Sequence, residues 1–591
     1  MPSRIEALRE RMLPARLREE RAEQRRAAEA EAAAEAERRR RRERIEALRR
    51  ALLESDGDLR PVTVEGRTYY GRRVGHFRAD EASARNLALI GDALERAAIP
   101  YFLAPGRSRV RHVIGMRLAD RKRLLETLRE IYGSTALYVM KPGSDPMPAD
   151  AVLYADGALP TSLKRQDTLR FGEILLGPAD QMLADLSYGC DVEFWHEGQQ
   201  LLEDGERGAE RIAALRSQTP PAVLTDALVA PRLNAVTDAL PAEARIPASR
   251  TIEGRVYPTY PDLFQPRIDT VDFPIDVVYT WVDGADPELA ARREAHRGEG
   301  SEAPRIHPRE TGVSRYTSHD ELKYSLRSLE MYAPFVRNIH IVTDGQTPAW
   351  LNTDASGIQI VDHKDIFAEP DVLPVFNSHA IETQLHHIPG LSEHYLYLND
   401  DVFLGRPVGA GHFFHGNGIA KLPFSPFQLG LGAPHPDDPA PNSAGKNVRG
   451  LLRDTHDRFT VNKFMHTPHP QRRVVMEELE NRFAEDIART SRARFRSVTD
   501  IAMTTSLHHH YAYLTGRAVP AKYKLRYIDV ARPDVTDALA ELARSRGHDF
   551  FCLNDVNTPE HERERVAAAL HTFLEHYFPF PSRYERARTH S

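Results

Sequence analysis

Cysteine is nearly absent from this 591-residue chain: Cys190 and Cys552 are the only two. Two thiols cannot staple a large secreted fold, and they lack metal-ligand spacing, so they read as small buried hydrophobes. No apolar run approaches the ~18 residues of a membrane span. No apolar stretch follows the first basic residues, so no secretory signal is expected. A cytoplasmic location follows as an expectation, with peripheral association at the inner face of the membrane left open. A basic excess is missing too. The formal net charge is -6, whereas a nucleic-acid reader of this size would show a basic domain with interleaved aromatics. What remains is ordinary for a globular protein, 41% hydrophobic and 28% charged. At this length one core does not suffice, and two or three domains are expected.

Residues 1–55 stand apart as a charged helical arm. The first 53 hold 16 Arg and 11 Glu among many Ala, all strong helix formers. They carry +5 and leave about -11 for the rest. A solvated helix or coiled-coil arm is the plain reading. A helix for self-association or for a membrane surface is the sharper one. Ile5, Leu8, Met12, Leu17, Ile45 and Leu48 are too sparse for long heptads.

Residues 60–250 read as an accessory α/β domain. Glu81 to Ala97 and Asp120 to Tyr132 have helical spacing. Residues 99–103, 110–114 and 136–140 look like short strands, and the alternation resembles βαβ units. The stretch around 217–250, with its Pro and Arg residues, reads as an exit linker.

From Pro274 the pattern changes. Residues 275–282, 336–342, 357–361 and 394–398 are β-branched or aromatic runs, separated by helices over 319–332 and 378–387. Strands alternating with helices predict a parallel, doubly wound sheet, whose ligands bind at the strands' carboxyl ends. Three strands end in acidic groups: Asp283-Gly284 with Asp286, Asp344-Gly345, and Asn399-Asp400-Asp401. A single Asp-Gly is common turn chemistry. Adjacent carboxylates after a buried strand repel each other unless a cation intervenes, and hard oxygen donors suit Mg²⁺ or Mn²⁺.

Other candidates are more ambiguous on spacing alone. Asn377 and Ser378 suit a helix N-cap. His379 and Glu382 share a helix face, where they meet a ligand or each other. Arg494 and Arg496 flank Phe495 and fit either bidentate phosphate contacts or an exposed surface. His466 precedes a helix over 472–483. Asn554-Asp555 repeats the pattern of an apolar run followed by Asn-Asp. Consecutive His508, His509 and His510 on a helix point in different directions and make a poor single site.

Residues 275–286, Ile-Asp-Val-Val-Tyr-Thr-Trp-Val-Asp-Gly-Ala-Asp, resemble the first conserved region of the Stealth family of sugar-phosphotransferases. These are bacterial capsular or exopolysaccharide enzymes, and the animal N-acetylglucosamine-1-phosphotransferase is similar in its catalytic part. A second region matches from Tyr316 to Pro407. It includes Glu321-Leu-Lys-Tyr-Ser-Leu-Arg-Ser328, Ile341-Val-Thr-Asp-Gly-Gln346, Phe376-Asn-Ser-His-Ala-Ile-Glu382 and Tyr397-Leu-Asn-Asp-Asp401. The third holds His466-Thr-Pro-His-Pro470, Glu477-Glu478-Leu479 and Arg494-Phe-Arg-Ser497, and the fourth is Phe551-Cys-Leu-Asn-Asp555. The match spans roughly 274 to 582, about half of the chain, with small departures such as Val402.

The resemblance implies an α/β, GT-A-like, doubly wound and mostly parallel catalytic sheet over 270–585. It also implies transfer of a sugar 1-phosphate, with N-acetylhexosamine 1-phosphate expected, from a UDP-sugar to a glycan hydroxyl with loss of UMP. Asp400, Asp401, Asn554 and Asp555 would hold Mg²⁺ or Mn²⁺. Arg496 and Arg494 would meet phosphate, with His466 the first candidate base and His379 the second. Trp281, Asp283, Asp286, Arg327, Asp344, Asn377 and Glu382 would border the donor. Strand-end carboxylates alone also fit a glycosyltransferase that releases UDP, or a non-catalytic sugar-nucleotide-binding assembly factor.

Overall fold

The computed structural model describes residues 14–157, 159–297, 318–555 and 557–587. Helix α1 (Ala15–Ser55) is exposed along most of its length. Its last turns meet the body: Leu52 is buried, and Arg49 forks onto Asp156 at 2.8 and 2.7 Å. Ile5, Leu8 and Met12 lie outside the described residues. No described helix is long and apolar enough to cross a membrane.

The accessory region holds helix α2 (Ala79–Arg96), strand β1 (Val113–Arg117), helix α3 (Arg121–Tyr132) and strands β2 (Tyr138–Met140), β3 (Thr168–Gly172) and β4 (Cys190–Glu197). The expected βαβ repetition is not what it builds. Strand β4 lies parallel to β1 but antiparallel to β3, and β3 is antiparallel to β2. Strand β2 follows β1 and α3 in sequence yet lies beyond β4 and β3 in the sheet. A strand–helix alternation leaves the next strand's neighbour open. The stretch expected as a linker also carries structure, since β5 (Leu228–Val229) and β6 (Ala239–Leu240) form a hairpin that extends the sheet from β4. The region is not insulated from the catalytic part. Phe77, Ala82, Leu183 and Tyr188 share one apolar core with Leu329, Tyr332 and Tyr577.

The catalytic sheet is built from β7 (Ile275–Thr280), β8 (Val336–Thr343), β9 (Ile358–Asp362), β10 (His394–Asn399) and the edge strand β12 (His469–Arg472), in the order β9, β8, β7, β10, β12. The first four run parallel and β12 antiparallel. Strand β7 is buried from Ile275 to Tyr279, because parallel sheets are covered on both faces and use near-continuous apolar runs. Each fully buried Val there contributes on the order of 2 kcal/mol. Helix α4 (Glu321–Tyr332) covers one face with Leu322, Leu326 and Leu329. Helix α5 (Ser378–Glu382) covers the other, its Ala380 packing with Val278, Val342 and Tyr397. The segment 378–387 is shorter as a helix than its pattern predicts, since a separate turn forms at Leu385–His387.

A smaller sheet joins sequence-distant segments. Strand β11 (Val402–Leu404) pairs antiparallel with β14 (Phe550–Asn554), and β14 pairs parallel with β13 (Leu525–Asp529). Val402 sits opposite Cys552, so Asp401 and Asn554 come together at the strand ends.

Candidate active site

Four parallel strands end at one side of the catalytic sheet, where the order reverses between β7 and β10. That is where open sheets hold ligands. A cavity of about 590 Å³ lies there, within the range of ligand sites. Trp281 follows β7, Asp344 follows β8, His363 follows β9 and Asp400 follows β10, and all four line it.

The floor is acidic. Asp400, Asp401, Glu321, Asn554 and Asp555 all line it. Asn554 Nδ2 donates to Asp401 Oδ2 at 3.0 Å, and His466 Nε2 faces Asp401 Oδ1 at 3.1 Å. The Cys552 thiol, pushed up by burial, donates to Asp401 Oδ2 at 3.4 Å. Burial and then the Asp401 charge push Asp400 up to about 7. Burial and then the Asp400 charge push Glu321 up to about 8. Asp401 is lower than an ordinary Asp: burial opposes ionisation, but His466 outweighs it. Burial opposes charge on His466 too, and Asp401 raises it. Among the described residues no Lys or Arg pairs with Asp400, Asp401 or Glu321. Crowded carboxylates with an amide beside them and no such counter-charge form a hard oxygen set, which suits a divalent ion such as Mg²⁺ or Mn²⁺.

One wall is built from the start of α5 and the Arg494–Ser497 segment. Asn377 caps α5 by accepting from His379 N–H at 3.1 Å. Arg496 gives Nη2 to Ser378 Oγ at 2.8 Å and lines the cavity. His379 and Glu382 line it as well. Glu382 is held by the hydroxyls of Thr504 and Tyr397, the latter at 3.4 Å, rather than by His379.

Not every expected donor contact faces this space. Asp283, Asp286, Asn377, Arg494 and Arg327 do not line the cavity. Asp286 accepts from Gln346 Nε2 at 2.8 Å while Gln346 Oε1 accepts from Asp283 N–H at 3.0 Å, which ties the two strand-end loops together. Asn377 is fully buried. Arg494 reaches the Asp371 carbonyl at 3.4 Å. Arg327 departs furthest from expectation. It is buried and forks onto Glu585 at 2.8 Å, with Glu575 at 3.2 Å. It lies six residues after Glu321, a step that carries it to another face of α4. Glu321 itself lies inside a quoted motif, but an acid in a helix's first turn looks like ordinary dipole compensation. His508, His509 and His510 are buried and do not converge on one point: His508 accepts from Arg472 N–H and meets His509 at 3.2 Å, His509 also meets His469 at 3.0 Å, and His510 turns to the Ser506 carbonyl.

Profiles of four Stealth conserved regions match in order: region 1 over 273–301, region 2 over 315–422, region 3 over 465–513 and region 4 over 540–590. The chain belongs to the Stealth family. It is a transferase of the phosphotransferase class. An exopolysaccharide phosphotransferase of Streptomyces coelicolor is 41% identical over 512 residues, 85% of this chain and 82% of that protein. Exopolysaccharide phosphotransferase CpsY of Mycobacterium tuberculosis is 35% identical over 535 residues, 89% of this chain and 92% of that one. These spans exceed the catalytic region, so likeness to relatives reaches into the accessory region, beyond the half covered by the motifs. Mouse xyloside xylosyltransferase 1 is 9% identical, covers 49% of this chain and 100% of that one, and has a TM-score of 0.24. That score carries no argument about the fold.

Proposed function

We propose that this Stealth protein transfers a sugar 1-phosphate, of the N-acetylhexosamine class, from a UDP-sugar to a carbohydrate hydroxyl in exopolysaccharide synthesis. The acceptor oxygen attacks the β-phosphorus. The bond from that phosphorus to the bridging oxygen breaks, and UMP leaves with the electron pair. A phosphodiester then joins sugar and acceptor. One observation carries this reading: Asp400-Asp401 and Asn554-Asp555 meet on a cavity floor whose wall bears Arg496. The names of its relatives support the choice of phosphotransfer and of exopolysaccharide. The sheet order, read as a GT-A-like doubly wound layout, supports a nucleotide sugar at the β7–β10 crevice.

Asp400, Asp401, Asn554 and Asp555, with Glu321 beside them, would hold Mg²⁺ or Mn²⁺. Such an ion neutralises a diphosphate and stabilises charge on the departing phosphate. Arg496 holds the phosphate oxygens in the transition state. Trp281 and Asp344 border the nucleotide. The acceptor proton passes to a histidine, His466 first and His379 second. Incubation with a panel of UDP-sugars, a divalent ion and glycan acceptors tests the reading through the mass of the nucleotide product. UMP is expected. UDP would mean attack at the anomeric carbon and a glycosyltransferase. Donor binding without turnover would mean a non-catalytic sugar-nucleotide-binding protein.

A further inference from the structure

Behind the cavity wall lies Asp500, 1% exposed and not itself a lining residue. Its Oδ2 accepts from Asn377 Nδ2 at 2.9 Å and from Ser497 N–H at 2.9 Å, and lies 3.4 Å from His379 Nδ1. The Asn377 amide also reaches the carbonyls of Ala493 and Phe495 at 3.1 and 3.3 Å. Phe376 N–H donates to the Arg494 carbonyl at 2.7 Å, and the Phe376 and Phe495 rings stack at 5.3 Å. The peptide groups on both sides of Arg496 are therefore pinned, the Phe495 carbonyl through Asn377 and the Ser497 N–H through Asp500.

A carboxylate this deeply buried is costly unless its oxygens are bonded. Asp500 Oδ1 has no hydrogen-bond partner among the described residues, so a neutral side chain would fill the place with less desolvation. What the charge supplies is strength, because N–H groups bond an ionised carboxylate about twice as strongly as a neutral oxygen.

We propose that Asp500 is a positioning residue. It fixes the Arg494–Ser497 segment against the start of α5, so that the Arg496 guanidinium is set at the cavity before the donor arrives. The inference rests on the proposed phosphotransfer, in which Arg496 meets the donor phosphates. A guanidinium already in place needs no reorganisation when charge develops, and a misplacement of ~1 Å costs on the order of 100-fold in rate.

A double-mutant cycle with Arg496 separates this role from plain structural support. Asp500→Ala removes the acceptor of Asn377 and Ser497, and kcat is expected to fall ~100-fold. Asp500→Asn keeps one carbonyl oxygen for those donors and is expected to recover activity to within ~10-fold of wild type. In an Arg496→Ala background, Asp500→Ala is expected to cost under ~3-fold more, since no guanidinium is left to place. Equal losses in both backgrounds overturn the proposal. So does a wild-type kcat per folded molecule with only less folded protein. Should Asp500→Ala not fold, Asp500→Asn run through both backgrounds reads the same coupling. The nucleotide released by the wild type tests the phosphotransfer separately: UDP release would sink that reading while the cycle still reports on Asp500. Release of UMP with an additive cycle would sink only the positioning role.

Discussion

Two carboxylate clusters of this chain are handled in opposite ways. In the accessory sheet, Asp191 is 1% exposed. Arg170, directly across on β3, approaches it at 2.7 Å, as does Arg232, and Arg111 lies at 3.2 Å. Burial pushes Asp191 up, but the Arg170 hydrogen bond and the three guanidinium charges outweigh that and leave it below its ordinary value. On the cavity floor the balance goes the other way. Asp400 rises to about 7 and Glu321 to about 8, because burial and mutual repulsion meet no Lys or Arg partner among the described residues. Electrostatic deficits of this kind concentrate at functional sites, whereas matched networks serve the fold. The contrast supports the proposed function from a side that needs no relative.

The contrast breaks most readily at Asp401. Asp401→Ala is expected to lower transfer by ~10³-fold or more, the scale on which groups that stabilise developing charge act. The fold should keep its thermal midpoint, since the substitution also relieves repulsion with Asp400. Excess chelator should abolish activity in the wild type, and added Mg²⁺ or Mn²⁺ should restore it. A fully active Asp401→Ala enzyme, indifferent to chelator, would reduce the acidic floor to a structural feature. The matched cluster should behave inversely. Asp191→Ala leaves Arg170 buried without its facing carboxylate and is expected to cost ~3–5 kcal/mol of unfolding free energy. Denaturant unfolding reads that loss, while kcat/KM per folded molecule stays at the wild-type value. If Asp191→Ala instead left stability intact and removed activity, the division between the clusters would fail.

How much of this was legible in the sequence differs along the same lines. The parallel strands could be read because each is an apolar run ending at a polar turn, as with Ile275 to Thr280 before Asp283-Gly284. The convergence of Asp401 with Asn554 left only a faint trace, an apolar run before Asn-Asp repeated far downstream. It depends on β11 pairing with β14, and no local periodicity encodes a partner so distant. Arg327 shows the opposite failure. Its motif pointed to the donor, but the counter-charges Glu575 and Glu585 come from the chain's far end and hold it in the core. Asp500 carried no signal at all, because one Asp after Ser497-Val-Thr reads as a turn residue. In the accessory region, element types were readable while the neighbours of β4 were not, since pairing order is set by packing rather than by alternation.

Glu480 sharpens the contrast from its weak end, as a carboxylate that is neither stranded nor fully enclosed. It lies on helix α6 (Arg473–Arg482), 3.0 Å from His386 Nε2 and 3.1 Å from His387 Nε2. Hydrogen bonds from the two imidazoles hold it down at about 2. Burial keeps His386 below its ordinary value, so the charged partner is His387, which the Glu480 bond raises. A depressed carboxylate adds stability above its unfolded value of 4.5 and loses it as pH falls towards 2. A raised imidazole adds stability below its unfolded value of 6.5 and loses it as pH rises through the folded value. Both contributions are complete only between those two unfolded values. The His387 and Glu480 side chains are 31% and 35% exposed, so solvent screening limits the pair to under ~1 kcal/mol. Glu480→Gln is therefore expected to lower unfolding free energy by ~0.5–1 kcal/mol near pH ~5.5 and by less near pH ~8.5. Denaturant melts of both proteins at the two pH values check this. An equal loss at both would show that His387 is not the titrating partner.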